Sequence, residues 1–108
     1  MTSGTKLNNE MIELLKNTKQ VSFVWRQNSG AFRVRGHIYH FGYNGCADVC
    51  GMFKGGRLFQ FEGKAGNDKL SDEQIENIKQ INRDGGLAAE IRNIDELKAL
   101  LRIEGYIK

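Results

Sequence analysis

Proline is absent from this 108-residue chain, and cysteine occurs only twice. Without proline, one of the usual marks of a linker or a domain boundary is missing. Cys46 and Cys50 are too close in sequence to staple much of a fold, which excludes a disulfide scaffold and favours a reduced pair. No apolar run approaches the roughly 18–20 residues that a membrane-crossing helix needs. The opening residues, MTSGTKLNNE, lack the charged-then-apolar pattern of a secretory signal. A cytoplasmic location, with no membrane partner, is therefore expected. No repeat or low-complexity tract occurs. A chain of this length has room for one core, so residues 1–108 are expected to form a single domain.

What is present argues for a folded chain: 40% of residues are hydrophobic, and six are Phe. The net charge of +3 is mild but unevenly spread. Between Val21 and Lys69 the basic residues are Arg26, Arg33, Arg35, Lys54, Arg57, Lys64 and Lys69, against Asp48, Glu62 and Asp68. Acids collect instead around residues 72–76 and 95–96. A basic centre between balanced ends suits an anionic partner. It equally suits an ordinary solvated surface.

Periodicity gives the elements. Met11, Ile12, Leu14 and Leu15 predict a short amphipathic helix starting at Asn8 or Asn9. Strands follow at VSFVW (21–25), AFRV (31–34) and HIYHF (37–41), with short glycine-bearing turns that predict consecutive antiparallel hairpins. ADVCGMF (47–53) and RLFQFEGK (57–64) predict a further hairpin through Lys54-Gly55-Gly56. SDEQIENIKQIN (71–82) predicts a helix opened by a Ser71/Gln74 capping box and lined by Ile75, Ile78 and Ile81. LAAEI (87–91) returns as a strand, and a last helix starts near Asn93 with Leu97, Leu100 and Leu101 inward. The order α-β-β-β-β-β-α-β-α implies an α/β chain (α+β, mixed sheet), mostly antiparallel with one crossover helix.

The acids of the central segment pose the functional question. Strand alternation puts Phe59 and Phe61 on one face, and Gln60, Glu62 and Lys64 on the other. Asp48 lies in the partner strand, in a stretch too apolar to be a plain solvent face. Two carboxylates converging across a hairpin repel unless a cation sits between them. A hard divalent ion held by one or two carboxylates, water and a phosphate oxygen meets that need. Lys64 beside it could orient the attacking water or stabilise charge on phosphorus. The same spacing also fits a surface ion pair of Lys64 with Glu62 or Asp48.

Asp48, then Glu62-Gly63-Lys64 at the end of an adjacent strand, resembles the catalytic pattern of the PD-(D/E)XK nuclease superfamily. The wider context, VWRQNSGAFRV (24–34), FGYNGCADVCGMFKGGRLFQFEGK (41–64), LSDEQ (70–74) and GGLAAEI (85–91), is similar to the small stand-alone VRR-NUC nucleases of phages. Those are in turn similar to Holliday-junction resolvases. The resemblance implies a restriction-endonuclease-like core and a Mg²⁺-dependent endonuclease (Mn²⁺ able to substitute) cutting DNA, above all four-way junctions or other branched forms, in a phage or bacterial host cytoplasm. It assigns Asp48 and Glu62 as metal ligands, the Gly63 carbonyl as a further ligand, Lys64 as the catalytic lysine and Gln74 as the active-site glutamine. It also implies a first-helix acid assisting the metal, Glu10 by spacing or else Glu13. Arg26 and Asn28 would approach substrate phosphate, and Arg33, Arg35, Lys54 and Arg57 of the basic centre are further candidates for DNA contact. Ala47 departs from the family's proline, and the Val-Arg-Arg signature survives at best as Ile91-Arg92-Asn93.

Two cuts on opposed strands call for two sites, so a two-fold homodimer is expected. The apolar surplus of VSFVW and of the last helix is a candidate for its interface. Two other readings stay open: a nucleic-acid-binding module of the same fold that does not cleave, and a zinc-bound interaction module using His37, His40, Cys46 and Cys50. Strand parity works against the zinc site, because His37 and His40 are three apart and face opposite sides.

Overall fold

The computed structural model describes residues 3–27, 30–41 and 43–108. The elements run α1 (Ser3–Lys16), β1 (Val21–Arg26), β2 (Gly30–Val34), β3 (His37–Phe41), β4 (Val49–Phe53), β5 (Leu58–Gly63), α2 (Asp72–Arg83), β6 (Leu87–Ile91) and α3 (Ile94–Ile103). They form an α+β fold with a mixed four-stranded sheet, β1-β4-β5-β6, and a separate two-stranded sheet, β2-β3. The element order is the expected one. Two details differ.

Helix α1 begins at Ser3 rather than at Asn8 or Asn9. The reason lies in packing: Leu7 joins Met11 and Leu15 in an i, i+4 stripe that is fully buried, so the apolar face extends one turn further back than the isolated pattern suggests. Strand β1 does not form a hairpin with β2. It pairs antiparallel with β4, Trp25 opposite Cys50 and Arg26 opposite Val49, so β2 and β3 are looped out between them. Val21 and Val24 contribute to the core from β1, which draws it to the main sheet rather than to its sequence neighbour. A bulge between Val21 and Phe23 interrupts the β1–β4 ladder.

The β2–β3 hairpin is closed by Arg35 and Gly36, at φ 51° and 83°. Two consecutive left-handed residues give the turn a twist that matches the strands. Neither strand approaches any other helix or strand among the described residues, and the molecule is elongated, 50 × 30 × 23 Å.

The core lies on one face of the four-stranded sheet. Phe53, Phe59 and Phe61 form a ring chain there, with centroids 4.7 and 5.2 Å apart, covered by α1 and α3. Tyr106 stacks on Phe53 at 3.7 Å and closes the C-terminal end. On the opposite face, among the described residues, α2 approaches β5 and β6 only. Its start carries the reciprocal capping box: the Gln74 amide donates to Ser71 Oγ (3.1 Å) and the Ser71 amide to Gln74 Oε1 (2.9 Å). No helix among the described residues is long and apolar enough to cross a membrane.

Candidate active site

Strand register builds the site. Val49 pairs with Phe61 and Cys50 with Gln60, so the antiparallel ladder continued by one residue puts Asp48 opposite Glu62. The Asp48 amide donates to Glu62 Oε2 at 3.1 Å. Lys64 Nζ lies 3.9 Å from Glu62 Oε1, with its side chain 18% exposed. Asp48, Glu62 and Lys64 are thus brought together at the end of the β4–β5 hairpin remote from its turn.

Glu62 is buried. Burial, and then the neighbouring Asp48 carboxylate, push its pKa up to about 8, against which Lys64 pulls only weakly. A buried acid with that balance is a group short of positive charge.

A side chain that sequence reasoning passed over completes the cluster. Asn8, on α1, is buried and donates from Nδ2 to Asp48 Oδ2 at 3.2 Å. Its Oδ1 is buried with no hydrogen-bond partner among the described residues. Gly63 makes this approach possible, since a Cβ there would stand 2.5 Å from Asn8 Oδ1. The available signal was an asparagine set directly beside the Leu7–Met11–Leu15 stripe. Glu10 is exposed and lines a shallow cavity with Lys6, Ala65 and Arg92. Glu13 is engaged at the helix end, its Oε1 accepting from Asn17 Nδ2 at 3.2 Å.

The loop that delivers Asp48 is held by a second missed residue. Gln60 is buried; its Oε1 accepts from the Ala47 amide (3.2 Å) and from Asn77 Nδ2 (2.9 Å), and its Nε2 donates to Tyr43 Oη (2.8 Å). Alternation had already set Gln60 on the Glu62 face, which was the signal. Gly45, at φ 87°, lets the same loop touch the first turn of α2: a Cβ there would lie 2.2 Å from the Glu73 carbonyl oxygen. Gln74, in that turn, uses its Oε1 in the cap.

The basic candidates divide. Arg26, Arg33 and Arg35 are exposed on β1 and the β2–β3 hairpin. Asn28 lies outside the described residues. Lys54 and Arg57 sit at the opposite end of the β4–β5 hairpin from Asp48, about five to six residue rises or roughly 17–20 Å along the strand. Arg57 is occupied there: Nε donates to Gly85 O (3.0 Å), Nη2 to Gly86 O (3.2 Å), and Nη1 pairs with Glu104 (2.9 Å).

Cys46 and Cys50 are free, buried thiols 3.9 Å apart, and Cys50 Sγ donates to Ala47 O. Burial, and then the neighbouring Cys46, raise the Cys50 thiol well above its ordinary value. Among the described residues, no group of three or more His, Cys, Asp or Glu side chains stands where it could hold a metal unaided.

A hard divalent ion nevertheless fits the donors at Asp48. The adjacent Asp48 and Glu62 carboxyl groups and an orphaned buried amide oxygen are all oxygen donors, and such an ion needs only one or two carboxylates with water. No protein-family model matches this chain, and no curated protein matches it.

Proposed function

We propose that the chain is a Mg²⁺-dependent endonuclease with a PD-(D/E)XK-type core that hydrolyses DNA phosphodiesters, preferring branched forms such as four-way junctions, and that it works as a homodimer. The observation that carries this reading is the buried Glu62 beside the half-buried Asp48, with Lys64 Nζ 3.9 Å from Glu62. Asp48, Glu62 and the Gly63 carbonyl would hold the ion. A bound divalent ion (Mg²⁺, with Mn²⁺ able to replace it) supplies Lewis-acid polarisation of a phosphate oxygen and a more acidic water.

The protein's own groups do the rest. Asn8 Nδ2 fixes the Asp48 carboxylate, and its Oδ1 is an acceptor for a water proton. Gln60 anchors the loop through the Ala47 amide, so Asp48 is presented without rearrangement. Lys64 supplies positive charge where negative charge grows on the phosphate oxygens. In the reaction, a water oxygen bonds to phosphorus, one P–O ester bond breaks, and a proton ends on the departing oxygen.

The exposed arginines of β1 and the hairpin support a DNA surface. The alternation of buried apolar and buried polar residues along β5 supports the superfamily core. The test is incubation with labelled duplex, flap and four-way-junction DNA, with Mg²⁺ or with chelator. Metal-dependent cutting of junctions is the expected result. Binding without cleavage under every metal condition would replace the reading with a non-cleaving module of the same fold. Sedimentation at micromolar concentration tests the dimer, expected at about 24 kDa from two 12.2 kDa chains.

A further inference from the structure

Strand β1 carries two large aromatic side chains away from the core. Phe23 and Trp25 are 49% and 42% exposed, and their rings stack with centroids 5.7 Å apart and planes 21° apart. Phe23 lies opposite Met52 and Trp25 opposite Cys50, so both point to the sheet face that carries Gln60 and Glu62. Among the described residues, helix α2 approaches β5 and β6 on that face and not β1. Trp25 Nε1 donates to Gln27 Oε1 at 3.0 Å, which fixes the indole.

The shelf is in line with the site. The Gln27 amide donates to Asp48 O at 2.7 Å, so Gln27 neighbours Asp48, and Trp25 is two residues back along the strand. Two rises and one strand spacing put the Trp25 and Asp48 Cα atoms about 8 Å apart. That is within reach of a base close to a phosphate held at Asp48, since an unstacked nucleotide spans more than the rise of about 3.4 Å in stacked duplex.

Charge decides what covers the shelf. From Leu14 to Ala47 the sequence contains no Asp or Glu, while it contains Lys16, Lys19, Arg26, Arg33 and Arg35. The acid nearest the shelf, Asp48, belongs to the site itself, and Arg26, Arg33 and Arg35 lie on β1 and on the β2–β3 hairpin beyond it. A polyanion with flat apolar faces matches both the cations and the rings.

We propose that Phe23 and Trp25 form a stacking shelf for an unpaired nucleobase beside the scissile phosphate. The preferred substrate is then DNA with unstacked nucleotides next to the cut, such as a bulge, a flap base or a junction crossing, and not continuous duplex. The proposal rests on the nuclease reading of Asp48, Glu62 and Lys64.

Trp25 is the sole tryptophan, so its emission reports the shelf directly. In chelator, where no cutting occurs, the full chain is titrated with a (dT)12 oligonucleotide, a duplex with a three-nucleotide bulge, and the same duplex fully paired. Quenching by the first two and little by the third is expected. By anisotropy of labelled DNA, Trp25→Ala and Phe23→Ala should weaken binding of the bulged duplex about 5- to 140-fold and leave paired duplex within about 2-fold. Trp25→Phe should retain most of the preference. Equal quenching by paired duplex, or bulge affinity unchanged in both alanine variants, overturns the shelf. So does a shift of Trp25 emission with protein concentration alone, which would mean that a second copy covers it. Cutting by a wild-type protein that shows no quenching leaves the nuclease and removes the shelf; quenching without any Mg²⁺-dependent cutting does the reverse.

Discussion

Strand β5 presents two faces that are equally hidden from water and chemically opposite. Phe59 and Phe61 are 0% exposed toward α1 and α3; Gln60 and Glu62, pointing the other way, are 5% and 3% exposed. The apolar face gains free energy from its burial, about 1.5–3 kcal/mol for each ring taken out of water. The polar face loses by it: Glu62 is driven to about 8 by desolvation and by Asp48. A buried acid without a full counter-charge is retained at a cost in stability, and such costs concentrate at sites of function. The contrast teaches where to look: one face makes the fold, and the other uses it.

Substitutions can break that division. The largest effect is expected on the polar face and on activity alone. Asp48→Asn, Glu62→Gln and Lys64→Ala should each lower cleavage about 10²–10⁴-fold in single-turnover assays, while circular dichroism and thermal melts show an intact fold. Full activity in a folded Asp48→Asn protein would remove the site. Next in size is the apolar face. Phe61→Ala should cost about 3–5 kcal/mol in urea unfolding, with activity per folded molecule little changed. If Phe61→Ala were instead stable and inactive, the two faces would not be separate.

A third effect sharpens the comparison through pH. In the metal-free protein Glu62 holds its proton up to about 8, whereas the unfolded chain releases it near 4.5. Between those values the folded state binds more protons, so this contribution to stability is complete below about 4.5 and is lost as pH rises through about 8. Glu62→Gln should flatten that slope and melt above the wild type at pH 9 in chelator. A wild-type slope that persists in the variant would assign the titration to another group. The smallest effect lies outside β5: Arg26→Ala and Arg35→Ala should each reduce the log-log salt slope of DNA binding by about one. Slopes unchanged in both variants would move the DNA surface elsewhere.

The apolar face of β5 was legible in the sequence, because alternation in LFQFEG and the i, i+4 stripe of α1 are local patterns that packing reinforces. The capping box at Ser71 was legible for the same reason: both partners lie within three residues. The β1–β4 pairing was not. Short glycine-bearing turns favour neighbours, and only the demand of Val21 and Val24 for the main core overrides that preference. Spacing set Asp48, Glu62 and Lys64 on one hairpin and a resemblance singled them out, but the residues that hold them left no such mark. Asn8 reaches Asp48 across 40 positions, and Asn77 reaches Gln60 across 17. Contacts of that range leave no periodic trace; the only hint was a polar residue beside an apolar stripe. Arg57 illustrates the converse, since a basic residue in a basic segment gives no sign that carbonyls and a carboxylate will occupy it.

The β2–β3 hairpin pairs its ten ladder residues with each other and touches no other helix or strand among the described residues. A lone two-stranded ribbon is marginal in water. With no helix or strand of the body beside it among the described residues, its amides are expected to exchange as a separate unit before those of β4 and β5. Whatever grips Arg33 and Arg35 must also keep the ribbon closed, and part of the gross binding free energy goes into that ordering. Affinity could then be raised without adding one contact, by stiffening the ribbon before its ligand arrives.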